Sequence, residues 1–166
     1  MKTLILMRHA KSSWKHPELA DLDRPLNKRG NRDAPMMGQL IKEKELTPQL
    51  ILSSNAVRAK ETVRLFTEAD HFNGEVRYLE NFYMAESQAY LEGLRTLPDN
   101  IERVMVVGHN PGLEGLLQIL SGQVASLPTA AIAHIALPIQ HWNELNDSTT
   151  GELVDFWRPH DLKKKK

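Results

Sequence analysis

Short apolar runs alternate with amphipathic stretches along the chain. Leu4–Met7 is a continuous apolar run of strand length, and it ends in Arg8 and His9. A polar, proline-marked loop follows through Lys11–Trp14 and Asp21–Leu26, long enough to be a functional segment. Asn27 then caps a predicted helix whose apolar positions Ala34, Met37 and Ile41 recur at three and four residues. Gly30 and Pro35 oppose that helix, and Pro35 is expected to kink it. After Pro48, the stretch from Gln49 to Ser54 reads as a second buried strand. It opens into Asn55, the expected cap of a helix with Ala56, Ala59, Val63 and Phe66 on one stripe. Arg58 lies in the first turn of that helix, off the stripe.

The same alternation continues to the end. Val76–Leu79 is a short third strand, followed by a loop through Glu80–Met84 and a helix capped by Ser87 with Tyr90, Leu91, Leu94 and Leu97 inward. Arg103–Val107 is the clearest buried strand, and it runs into Gly108-His109-Asn110-Pro111-Gly112. There Asn110 is the expected cap and Pro111 the first helical residue, ahead of the buried face Leu113, Leu116, Leu117 and Leu120. Ala131–Leu137 and Glu152–Trp157 read as antiparallel strands. Strand–helix alternation of this kind predicts an α/β fold, a three-layer αβα sandwich around a mainly parallel sheet with an antiparallel strand. One domain over residues 1–160 suffices, and residues 161–166, ending in Lys163–Lys166, read as a basic, disordered tail.

Composition narrows the chemistry. A 166-residue chain with 41% apolar residues can bury a substantial single core. Lys plus Arg and Asp plus Glu are equal at 21 each, so no global field draws the chain to nucleic acid or to an anionic membrane. The initial apolar run is too short for a signal segment, and no run approaches the roughly 20 residues of a membrane span, so a cytoplasmic location is expected. With no cysteine, disulfides, thiol nucleophiles and Cys-ligated metals are excluded. Chemistry falls to His, Arg, acids and hydroxyls.

Arg8-His9, Arg58 and His109 each sit at a strand-to-helix junction, about 50 residues apart in sequence. A parallel sheet gathers such junctions at its carboxyl edge, where open α/β folds bind ligands. Two guanidiniums, two imidazoles and a helix start suit an oxyanion, phosphate above all. A metal is disfavoured because the arginines repel a cation and no His-x-x-x-His or His-x-x-Glu-His spacing occurs. No cofactor is expected. His134, alternating with Ile132 and Ala136, reads as a packed strand histidine, whereas Trp14, Tyr83 and Trp142 could line either the core or a substrate groove.

Arg8-His9 after an N-terminal strand, Arg58 in Ser53-Ser54-Asn55-Ala56-Val57-Arg58-Ala59, and Gly108-His109-Asn110-Pro111-Gly112 together resemble the histidine phosphatase superfamily. The short length, Arg8-His9-Ala10-Lys11-Ser12 and Asp23-Arg24-Pro25-Leu26-Asn27 look like the small SixA-type phosphohistidine phosphatases. Ala10 departs from the glycine that commonly follows the histidine. The resemblance implies a phosphoglycerate mutase-like fold without a helical insertion domain, and a metal-independent phosphatase. It makes neutral His9 the nucleophile that becomes a phosphohistidine. Arg8, Arg58 and a protonated His109 would then hold the phosphoryl oxygens. It suggests Glu80 as proton donor, with Asp23 and Glu86 as competitors. The implied substrate is a phosphorylated protein carrying phosphohistidine. The alternatives are a small phosphorylated metabolite and a non-catalytic phosphate-binding regulatory module.

Overall fold

The computed structural model describes residues 1–163, so Lys164–Lys166 of the expected tail lie outside the described residues. Its six strands are β1 (Lys2–Arg8), β2 (Leu50–Ser54), β3 (Glu75–Leu79), β4 (Arg103–Gly108), β5 (Ile132–Leu137) and β6 (Glu152–Trp157). Its helices are α1 (Lys28–Glu43), α2 (Val57–Asp70), α3 (Ser87–Arg95), α4 (Gly112–Ser121) and a short α5 (Pro159–Lys163), which takes in the first residues of the expected tail. The strands form one sheet in the order β3-β2-β4-β1-β5-β6. β3, β2, β4 and β1 are mutually parallel, and β5 and β6 run antiparallel.

β1 lies inside the sheet with helices over both faces, which is why Leu4–Met7 is apolar without interruption. Leu4 and Leu6 face the core with α3 and α4, while Ile5 and Met7 face the core with α1 and α2. All four are fully buried, each contributing about 1.5–3 kcal/mol. The Arg8–His9 backbone is fixed on both sides. His9 N donates to Gly108 O at 3.1 Å, and Ala130 N donates to the carbonyls of Arg8 and His9 at 3.0 and 3.1 Å.

Asn27 caps α1 as expected, accepting from Gly30 N at 2.9 Å. The kink expected at Pro35 does not end α1, which runs unbroken to Glu43 because Ala34, Met37 and Ile41 stay fully packed across the proline. Three other caps differ from expectation, and at Ser87 and Asn110 the side chain bonds a distant backbone carbonyl instead. Ser54 Oγ, rather than Asn55, accepts from Ala56 N at 3.1 Å, and α2 starts at Val57. Ser87 is already helical, its hydroxyl donating to Gly112 O at 2.9 Å. Asn110 turns away and donates to Leu127 O at 2.8 Å, so α4 begins only at Gly112.

Candidate active site

β1, β2 and β4 are adjacent and parallel, so their carboxyl ends bring Arg8-His9, the start of α2 and His109 to one edge. There a cleft of about 270 Å³ is lined by Arg8, His9, Arg58 and His109, together with Lys11, Ser12, Trp14, Asp21, Arg24, Met84, Asn110 and Thr129. Arg8, Lys11, Arg24 and Arg58 face a single acid, Asp21, so the cleft carries surplus positive charge although the chain as a whole carries none.

His9 is 6% exposed, and its Nδ1 lies 2.8 Å from the carbonyl oxygen of Ala10. A carbonyl only accepts, so Nδ1 bears the proton and Nε2 keeps its lone pair. Burial pushes the His9 pKa down to about 3, with His109, Arg58 and Arg8 adding smaller repulsions. His9 is therefore a neutral imidazole with an available Nε2 near neutral pH, and desolvation rather than the neighbouring cations is the main reason. Ala10 serves this orientation without strain, because its φ is not positive and its N–H donates to Thr62 Oγ1 at 2.9 Å.

His109 packs against His9 with ring centroids 5.0 Å apart, and its Nε2 lies 2.8 Å from Ser54 Oγ. Burial, reinforced by Arg58, lowers its pKa to about 4. Before an anion enters, the His109 ring is therefore neutral, because burial and the repulsion of Arg58 outweigh the opposing pull of Asp21, so the protonated ring that the resemblance implies requires the phosphate itself. Arg8 Nη1 donates to Leu127 O at 3.1 Å, and Leu127 N donates to Glu114 Oε2 at 2.7 Å.

Arg58 is 3% exposed and held by Asp21, donating from Nη1 to the Asp21 carbonyl at 2.7 Å and from Nη2 to Oδ2 at 3.0 Å. Asp21 also accepts from Arg24 Nη1 at 3.0 Å and from the Tyr83 hydroxyl. These donors, Tyr83 first, hold its carboxyl down at about 2. Arg24 in turn stacks on Trp14, with its Cζ 3.3 Å from the ring centroid.

Of the residues the sequence singled out, Arg8, His9, Arg58 and His109 converge. Glu80, Asp23 and Glu86 are exposed and do not line the cleft. Asp21, two residues before Asp23, was missed, and nothing in the sequence distinguishes one acid of that loop from the other. The open aromatic question divides three ways. Trp14 is 73% exposed at the cleft, Tyr83 meets His109 edge-on at 5.6 Å, and Trp142 is core. His134 packs against Trp157, as its strand position predicts. Among the described residues, no group of three or more His, Cys, Asp or Glu side chains could hold a metal ion, and no helix is long and apolar enough to cross a membrane.

Fold and site define an α/β protein whose parallel-strand ends gather two buried histidines, the buried Arg58 and the half-buried Arg8 in a cationic cleft. The sequence profile of the histidine phosphatase superfamily (branch 1) matches residues 4–83. An uncharacterised chloroplastic protein of Arabidopsis thaliana is 35% identical over 153 residues, covering 86% of this chain and 70% of the relative. The crystal structure of a candidate phosphohistidine phosphatase SixA from Agrobacterium tumefaciens superposes with a TM-score of 0.82 at 29% identity, over 95% of this chain and 98% of that one. A protein histidine phosphatase SixA complexed with tungstate shares the fold, with a TM-score of 0.82 at 21% identity over 96% and 99% of the two chains. The chain belongs to the histidine phosphatase superfamily and has its phosphoglycerate mutase-like α/β fold. No helical insertion domain is present among the described residues.

Proposed function

We propose that the protein is a phosphatase working through a phosphohistidine on His9, with protein-borne phosphohistidine as its substrate. The observation that carries this is the His9 Nδ1–Ala10 O contact of 2.8 Å, which leaves a neutral Nε2 as nucleophile inside a cationic cleft. Nε2 attacks phosphorus, the new N–P bond forms as the bond to the leaving group breaks, and the leaving group departs with that electron pair. Water then attacks the phosphohistidine and releases phosphate, restoring neutral His9. Arg8 and Arg58 are the fixed charges that stabilise the equatorial oxygens. His109 lies beside them, and an entering dianion raises its pKa, so it gains its proton with the substrate rather than before.

The choice of substrate rests on the carboxylic acid donor that the cleft lining lacks, since the proton His109 gains with the substrate serves to pair that ring with the phosphoryl oxygens. Asp21 is the acid lining it, and at a pKa of about 2 it is ionised and cannot donate a proton. An alkyl phosphate would expel a basic alkoxide, whereas a phosphoramidate nitrogen takes a proton from solvent and leaves as neutral imidazole. Glu80, outside the cleft wall, has no role in this reading. The SixA-named relative at 29% identity supports the same substrate class.

Phosphate release from a phosphohistidine peptide and from small phosphate esters provides the test. The wild-type protein is expected to prefer the peptide by at least roughly tenfold in kcat/KM. His9→Ala is expected to abolish turnover on both while retaining the fold. Unimpaired turnover by His9→Ala overturns the mechanism, faster turnover of a small ester assigns the metabolite class, and phosphate binding without any turnover assigns a binding module.

A further inference from the structure

We infer that a second oxyanion site lies beside the catalytic cleft and takes an acidic group carried by the substrate next to its phosphate. This rests on the phosphatase reading above, and it assigns a further specificity element to that site. The site is a hollow of about 380 Å³ walled by Arg29, Arg32, Asp33, Thr129 and His160. Thr129 lines this hollow and the catalytic cleft alike, so one side chain separates them. The next residue, Ala130, donates its N–H to the carbonyls of Arg8 and His9, which ties the dividing wall to the nucleophile's own backbone.

The two arginines are arranged rather than loose. Asp33 is 1% exposed, and Arg29 Nε and Arg32 Nε approach its carboxylate at 3.6 and 3.5 Å. Arg29 Nη2 is fixed again by Thr129 Oγ1 at 3.2 Å. A buried carboxylate thus holds two guanidiniums by their Nε edges while both side chains stay about half exposed, at 52% and 60%. Two cations against one acid leave one surplus positive charge in the hollow, and planar guanidiniums suit carboxylate or phosphate oxygens. His160, which also lines the hollow, adds an imidazole N–H donor. A phosphoprotein with a Glu or Asp side chain beside its phosphohistidine fills both sites at once.

The first test titrates inorganic phosphate against the full chain while following histidine ring resonances by NMR. Two separate responses are expected, a tighter one at His109 and a weaker one at His160. Arg32→Gln should weaken the His160 response roughly five- to tenfold and leave that of His109 unchanged. A His160 ring that ignores phosphate, or that responds equally in Arg32→Gln, overturns the site. The second test compares phosphohistidine peptides that differ only in Glu or Gln beside the phosphohistidine. The wild-type protein should prefer the Glu peptide and Arg32→Gln should lose that preference, whereas an equal change on both peptides overturns the substrate-borne assignment. The phosphatase reading is judged separately, by the His109 response and by turnover of the Gln peptide.

Discussion

At the scale of single residues, the defining event is the burial of two histidines beside two arginines. Burial lowers the pKa of His9 from 6.5 to about 3 and that of His109 from 6.5 to about 4. Both rings are neutral in the folded chain at pH values where the unfolded chain has already taken up protons. Unfolding is therefore coupled to proton uptake, so this contribution to stability is complete above pH 6.5 and is lost as pH falls toward the folded values. At pH 5 each ring costs roughly 2 kcal/mol relative to pH 7. Urea midpoints at pH 7 and pH 5 are expected to differ accordingly, and His109→Asn should remove about half of the difference. An unchanged pH dependence in that variant would contradict the buried neutral ring. Arg8, His9, Arg58 and His109 were legible because each follows an apolar run or opens a helix, where periodicity places the chain. Asp21, Tyr83 and Trp14 were not, since their placement is set by the course of the loop from Lys11 to Leu26 and of the turn at Glu80–Phe82, which no period encodes.

At the scale of elements, α1 fixes the loop that leaves His9. A Cβ built on Gly30 would lie 2.2 Å from the carbonyl oxygen of Lys11, so the helix approaches that loop as closely as glycine allows. That contact explains why a glycine sits in the first turn of a helix where its propensity is poor. Gly30→Ala must push α1 away from the Lys11 backbone, two residues from His9. A loss of about 2 kcal/mol, or roughly 4–8 °C in Tm, is expected together with reduced turnover. Gly115→Ala is the contrasting case, because its Cβ would clash only with the Ser87 hydroxyl, at 2.4 Å, and that group can rotate away at the loss of its hydrogen bond to Gly112 O, with no shift of backbone. Calorimetry of the two variants compares the clashes directly, and equal Tm values would refute the close approach. The strands and the stripes of α1, α2, α3 and α4 could be read from the chain because burial on both sheet faces demands apolar positions at fixed spacing. The caps at Asn55, Ser87 and Asn110 could not, because whether such a side chain caps a helix or reaches another backbone group is decided by tertiary neighbours absent from any local pattern.

For the whole molecule, charge balance and charge placement are separate quantities. Formal net charge is +0, so the protein as a body exerts no net attraction on a phosphorylated partner. The cationic side chains nevertheless gather where β1, β2 and β4 end, with Lys11, Arg24, Arg8 and Arg58 around the cleft and Arg29 and Arg32 in the adjoining hollow. The sheet order causes this, since it puts three parallel strand ends side by side and draws their loops to one edge. Attraction of an anionic substrate then depends on a local field, which extends about 10 Å in roughly 0.1 M salt and contracts as salt rises. Raising KCl from roughly 0.05 to 0.5 M is expected to lower kcat/KM for a dianionic phosphate substrate several-fold, chiefly through association. Tm should move by no more than about 2 °C, because most of the ion pairs away from the cleft are solvent-exposed and contribute little to folding. Lys11→Gln, on the cleft wall, should flatten the salt dependence of kcat/KM and leave that of Tm unchanged. A salt effect on kcat/KM that survives in Lys11→Gln and follows Tm instead would locate the sensitivity in the fold rather than in the field at the strand ends.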